Sequence, residues 1–412
     1  MPRVLLLLPT ATYRAPDFLA AAAALGAEVV VGSEQAQTLA GAMGDRALTV
    51  PLDDPEAAVE AIAALAGRRP LDAVVAVDDQ GVLVAALASG RLGLPHNPPE
   101  AVARTRDKAA MRAALARPTG TGRAARQPDY RVVAAGADVA VLAAEVGFPC
   151  VVKPVSLSAS RGVIRADDPG AAVAAAERVR AILADAGQPV GEPVLVEQYI
   201  PGDEVAVEAL LRGGILDVLA IFDKPDPLVG PYFEETLYVT PSRLPDAVQA
   251  RLSEAVAGAA AAMGLQEGPI HAELRIDPDG EPWILELAAR SIGGLCSRAL
   301  RFGTGMSLEE VILRHALGLP VDAQREQAAA GVMMLPIPAA GTLREVKGQD
   351  GARAVAGITG LEISIRPGRP VRPLPEGDRY LGFLFARAAS PEAVESALRA
   401  AHAHLEVVID PA

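Results

Sequence analysis

A chain of 412 residues is long for one core and short for four, so two to three packed domains are expected. Hydrophobic residues make up 51% and charged residues 22%, which excludes a disordered chain, although alanine supplies most of the apolar excess and aromatics only 3%. A formal net charge of -13 argues against nucleic acid and anionic membrane surfaces as partners, because both need a positive field, and points to small molecules.

From Arg3 to about Pro98, short apolar runs (RVLLLL, AEVVVGS, DAVVAVDD) alternate with alanine-rich helical stretches (DFLAAAAALG, PEAAVEAIAALAG). This is the βαβ rhythm of a parallel sheet, and residues 1–100 are expected to form an α/β unit. No G-x-G-x-x-G follows the first strand, so a dinucleotide-binding reading loses its main support. The run Val4–Leu8 is too short for an export signal or a membrane span, and Cys150 and Cys296 form no disulfide or zinc pattern. A cytoplasmic location is expected. Residues 101–128 read as a helical linker, with DKAAMRAAL followed by the Pro/Gly-rich stretch Pro118–Pro128. Residues 129–325 mix strands, helices and hairpins and hold every candidate for chemistry. Residues 326–412 carry short strands, a helix and a last strand LEVVID, an α+β module.

In GFPCVVKPVSLSASRGV a buried strand delivers Lys153, and the loop Ser156–Gly162 offers backbone N–H groups and the hydroxyls of Ser158 and Ser160 to a phosphate. A plain surface loop with a solvated lysine fits the same residues. In VLVEQYIPGDEVAVEALL a strand gives way to Glu197, Gln198, Tyr199 and Ile200 before a Pro201–Gly202 turn. Free backbone groups there suit a purine edge, and Glu204 suits ribose hydroxyls; a charged hairpin is the alternative.

The most informative stretch is IHAELRIDPDGEPWILELAAR. A two-residue turn at Asp279–Gly280 sets Ile276 opposite Trp283, Leu274 opposite Leu285 and Ala272 opposite Leu287, leaving Glu273 opposite Glu286 on the other face with Cβ atoms about 5 Å apart. Two facing carboxylates are tolerated if one is protonated, if Arg275 or Arg290 bridges them, or if a divalent cation lies between them; hard oxygen donors on a rigid ribbon suit Mg2+. Arg290 continues that face and could steady a developing negative charge, and Gly293 and Gly294 would let a backbone approach a ligand. His271 also lies on this face, where a structural role competes with a catalytic one. Both cysteines read as packing residues.

Taken in order, the helix with Lys108, the strand and loop at Lys153, the EQYIPGDE hinge and the HAEL…ILELAAR hairpin resemble the ATP-grasp superfamily. The L-amino acid ligases and related carboxylate–amine ligases are the nearest likeness, on ELAAR and the segment GVMMLPIPAAGTLREV…LGFLFARAASPEAVESAL. The resemblance implies an ATP-grasp fold with an N-terminal Rossmann-like parallel-sheet domain, a central ATP-grasp domain and a small C-terminal α+β module. It further implies ATP and two Mg2+ or Mn2+ ions as cofactors. Lys108 and Lys153 would meet the nucleotide phosphates, with Ser158, Ser160 and Gly162 folding over them. Glu197 to Ile200 would hold adenine, Glu204 ribose, Glu273 and Glu286 the metal, and Arg290 an acyl phosphate. Ala288 stands where relatives of the carboxylase type carry asparagine and cannot ligate metal. The segment DKPDPLVGPYFEETLYVT would border the acceptor pocket, with Tyr232 or Glu235 on an amino group. An ATP-dependent carboxylate–amine ligase making an amide or dipeptide through an acyl phosphate is therefore expected, acting on a small carboxylate, an amino acid, and an amine, in a homodimer. A purine-biosynthetic or carboxylase-like enzyme and an inactive nucleotide-binding regulator are the alternatives.

Overall fold

The computed structural model describes residues 1–37, 40–118 and 125–411; of the linker expected at Pro118–Pro128, residues 119–124 lie outside the described residues. The first sheet is parallel throughout, as the alternating pattern requires. Its central strand β1 (Arg3–Leu7) pairs with β2 (Glu28–Ser33) and with β4 (Ala73–Ala76), and β3 (Ala47–Thr49) completes the order β3-β2-β1-β4. Every residue of β1 is buried, which is why RVLLL has no polar alternation. The helix Pro55–Arg68 starts where the Asp54 carboxylate accepts the Ala57 N–H at 3.1 Å, with proline in its first turn. The next helix, Asp79–Leu92, begins at the carboxyl end of β4 and stops at Gly93 in the left-handed region.

Residues 130–198 form a separate layer. Strands β5 (Tyr130–Val133), β6 (Cys150–Pro154), β7 (Ile164–Ala166) and β8 (Val194–Gln198) make an antiparallel sheet in the order β5-β8-β6-β7. Helices Val139–Val146 and Pro169–Asp185 pack on it through Ala143, Ala172, Ala176 and Val179. This layer is a lid over the largest sheet of the molecule.

That main sheet has eight strands. It contains β9 (Asp203–Arg212), β10 (Ile215–Lys224), β11 (Leu237–Thr240), β12 (Gly268–Ile276) and β13 (Pro282–Ala288), with three strands from the last part of the chain, β14 (Ala329–Leu335), β16 (Ile358–Ile363) and β18 (Gly382–Ala388). Their order is β13-β12-β9-β10-β11-β14-β18-β16. The remaining strands β15 (Gly341–Lys347), β17 (Pro370–Val371) and β19 (Glu406–Asp410) form a small sheet in the order β17-β15-β19. The helix Asp246–Met263 covers the apolar face of β9, β12 and β13, burying Val205, Val207, Ala272, Leu274, Ile284 and Leu287 in one core. Among the described residues no helix is long and apolar enough to cross a membrane.

The β12–β13 hairpin corrects the expected register. Glu273 does face Glu286 and Ala272 faces Leu287, but Leu274 faces Ile284, Arg275 faces Trp283 and Ile276 faces Pro282. A bulge at Leu285 absorbs one residue and turns that leucine away from the core while Ile284 takes its place there. The loop is accordingly longer than two residues: the Asp277 carboxylate accepts the Asp279 and Glu281 N–H groups at 3.0 and 2.9 Å and the Trp283 indole N–H at 2.8 Å.

Candidate active site

Between the lid and the face of β12–β13 opens a cleft of about 970 Å³, part of it open to solvent. Its lining brings together Lys108, Lys153, Ser158, Ser160, Gln198, Tyr199, Ile200, Glu204, Glu235, His271, Glu273, Glu286 and Arg290, contributed by six separate stretches of chain. Glu197 lines it too, although its side chain does a different job from the one expected.

The Glu197 carboxylate is buried in a triad. Arg112 Nε donates to it at 2.6 Å and Lys153 Nζ at 2.7 Å, and the two cations outweigh the cost of burial, bringing the Glu197 pKa down to about 2. It is therefore committed within the protein. Arg112 carries no signal in the local sequence. It lies one turn beyond Lys108 on the same helix face, and its other donors bond the Ile284 and Leu285 carbonyls at 3.1 and 2.6 Å. One guanidinium thus ties the helix, the hinge strand and the bulged hairpin together. Burial draws the Lys153 pKa down against the pull of Glu197.

Lys108 is held at both ends: its N–H donates to Val155 O at 3.0 Å, and its Nζ donates to Leu157 O at 2.6 Å and lies 3.4 Å from Glu286. On the facing strand, burial alone would raise the Glu273 pKa, but Lys224, His271 and Arg290 hold it below the ordinary carboxylate range. Lys224, at the end of β10, is a second residue without a sequence signal. Its ammonium is buried among Glu204 at 2.8 Å, Glu235 in contact, and Glu273 at 3.6 Å, and these charges drive its pKa up against burial. The oxygens of Glu204, Glu235 and Glu273 approach within 4.8 Å of one another, and Lys224 supplies the positive charge this group requires. Glu204 also receives Arg275 Nε at 3.0 Å.

His271 contacts Glu208 through Nδ1 and lies 3.3 Å from Glu273 through Nε2. Burial pulls its pKa down, yet the glutamates win and carry it up to about 9, so the imidazole is a cation at neutral pH. Glu208 also accepts the Ile292 N–H at 2.9 Å. Glu235 receives the Tyr238 hydroxyl at 2.6 Å and the Tyr380 hydroxyl at 3.4 Å; burial, the largest influence, raises its pKa. Arg290 extends into the cleft with Nε 2.8 Å from Asp79.

Three expected contacts fall elsewhere. Tyr232 packs on the lid core and pairs with Arg178, while its neighbour Phe233 lines the cleft and stacks on Tyr199 at 6.4 Å. Gly162 donates its N–H to Pro375 O at 2.9 Å, and beside it Arg178 grips Glu376 at 2.6 Å, so the last part of the chain straps the lid. At Gly294, φ is +63° and a Cβ would stand 2.9 Å from the Phe383 ring: the close approach there serves a phenyl ring of the protein, and neither Gly293 nor Gly294 lines the cleft.

The chain matches known proteins along most of its length. Residues 146–299 match the ATP-grasp domain, residues 19–96 the ATP-grasp N-terminal domain, and residues 333–410 the L-amino acid ligase C-terminal domain 2. Two stretches of the chain thus carry domains of the ATP-grasp superfamily. The chain is similar over its whole length to the crystal structure of L-amino acid ligase from Bacillus licheniformis, with a TM-score of 0.80, 26% identity and coverage of 100% of this chain and 99% of that one. It is 28% identical to alanine–anticapsin ligase of Bacillus subtilis over 63% of this chain and 57% of that protein, and 34% identical to carnosine synthase 1 of Gallus gallus over 65% and 30%. The chain thus spans less than two thirds of the length of these curated relatives.

Proposed function

We propose that this chain is an ATP-dependent carboxylate–amine ligase that activates an amino acid as its acyl phosphate and joins it to an amine, releasing ADP and phosphate. The observation that carries this reading is the pairing of Glu273 with Glu286 on the cleft floor, ringed by Lys108, Lys153 and Arg290 and roofed by a strapped lid.

A carboxylate is a poor electrophile, and phosphorylation turns one of its oxygens into a leaving group. Lys108 and Lys153 bring positive charge to the phosphates, and Ser158 and Ser160 close over them, while the main chain from Gln198 to Ile200 and the Tyr199 and Phe233 rings hold the base. Glu204 keeps lone pairs free for a ribose hydroxyl. Glu273 and Glu286 offer hard oxygen donors from one rigid ribbon, a donor set that fits Mg2+ or Mn2+, and Ala288 beside them adds none. When bound, two such ions would neutralise charge on the transferring phosphoryl group. Arg290 stabilises negative charge on the acyl phosphate and on the tetrahedral adduct formed when the amine attacks the acyl carbon and phosphate leaves. Glu235 receives the ammonium group of an amino-acid substrate, and the lid keeps water from the acyl phosphate.

The test is phosphate release from Mg-ATP with single amino acids and pairs, followed by mass spectrometry. Release that needs a pair and gives a mass equal to both substrates minus water is the expected outcome. ATP binding without turnover across a broad acid and amine panel sinks the ligase in favour of a nucleotide-binding regulator.

A further inference from the structure

We infer that Asp79, in the N-terminal unit, is a positioning residue for Arg290, so that the parallel-sheet unit builds part of the catalytic geometry. The inference rests on the ligase reading for what Arg290 does, but its geometry stands by itself. Arg290 leaves the end of β13 with a long side chain that would sample many rotamers in an open cleft. Its Nε meets Asp79 Oδ2 at 2.8 Å, and one terminal nitrogen donates to the Ser291 carbonyl at 3.0 Å. The second terminal nitrogen has no protein partner among the described residues, as a donor meant for a ligand requires. Asp79 is the first residue of its helix, at the carboxyl end of β4, where side chains of an open parallel sheet converge on a ligand crevice.

The neighbouring residue is gripped from the same side. Arg14, fully buried beside the carboxyl end of β1, donates to Val77 O and to Ser291 Oγ, both at 2.7 Å, and the next residue, Ile292, is held by Glu208 at 2.9 Å. Three consecutive residues after the hairpin are therefore fixed from outside it, two of them by the N-terminal unit. Burial would raise the Asp79 pKa, but Arg290 outweighs it and keeps the carboxylate charged. A carboxylate that fixes one edge of a guanidinium leaves the opposite edge aimed, and misplacing such a group by about 1 Å can cost about 100-fold in rate.

The experiment compares wild type, Asp79→Asn, Asp79→Glu and Arg290→Lys in amino-acid-dependent phosphate release, with hydrogen exchange at the Arg290 Nε–H followed by NMR and assigned through the lysine variant. Asp79→Asn is expected to lower kcat about 10- to 100-fold with the ATP KM held within about twofold, Asp79→Glu to recover part of the loss, and the Nε–H to exchange faster in the asparagine variant. An Asp79→Asn enzyme with wild-type kcat, or a loss that follows the folded fraction and is not recovered by glutamate, overturns the proposal. The two failures separate: a wild type with no amino-acid-dependent phosphate release sinks the ligase reading, whereas unchanged Nε–H protection in Asp79→Asn overturns the anchoring whatever the reaction.

Discussion

Glu273 and Glu286 face each other across two neighbouring strands, and each leans on a separate cation, Lys224 at 3.6 Å and Lys108 at 3.4 Å. Opposed like charges on paired strands cost stability. Glu286→Gln should therefore lower amino-acid-dependent phosphate release by about 100-fold while the melting temperature holds or rises. Parallel activity and thermal-melt measurements check it; a variant that loses stability and keeps its rate would show the pair to be structural.

Lys224 offsets three carboxylates in a site it shares with no other ammonium among the described residues. Lys224→Met removes the one ammonium from this group, leaving Arg275 on Glu204 and His271 beside Glu273 but no other cation paired with Glu235 among the described residues, at a cost on the order of 3–5 kcal/mol, read from urea unfolding. A loss below about 1 kcal/mol would mean that the glutamates escape by taking up protons.

Acid should weaken the protein through Glu197. Its folded pKa, about 2, lies below the ordinary carboxylate value of 4.5, so the unfolded chain binds the proton first. The stabilisation is complete above that ordinary value and is lost as pH falls from about 4.5 towards 2, to at most about 3 kcal/mol. Urea midpoints at pH 7, 5 and 3 should stay level between the first two, as far as this group is concerned, and drop at the third.

How the chain foretells this site depends on distance along it. The strand run at β1, the facing glutamates and Lys153 near the end of its strand are local patterns that stand where alternation puts them, whereas Lys108, at the start of a helix, is marked only by the family resemblance. The bulge is hidden because Ile284 and Leu285 are equally apolar, and only the core decides which one it takes. Tyr232 and Phe233 differ little as loop aromatics, yet one serves the lid and the other the cleft. Lys224 and Asp79 find their partners through strand order and domain packing, which no spacing encodes.

Gly202 sits in the hinge between lid and main sheet with φ +115°, and a Cβ there would fall 1.9 Å from the Ile276 carbonyl oxygen. Gly202→Ala must move the hinge or the end of the hairpin, so it should destabilise by more than the ~1 kcal/mol typical of a single substitution and weaken ATP binding. Calorimetry with ATP and thermal melting check both; an unchanged nucleotide affinity would place the hinge outside the control of the cleft.

The eight-stranded sheet crosses the point where the C-terminal segment begins. Strand β11 pairs with β14 from Leu237 to Thr240, and Leu237 and Val239 share a core with Leu335, Leu384 and Leu398. A chimera that grafted residues 326–412 from a relative would run its seam between two adjoining strands. The foreign tail would have to match the side chains of β11 as well as its backbone, and a workable graft would carry the stretch from Leu237 to Thr240 with it.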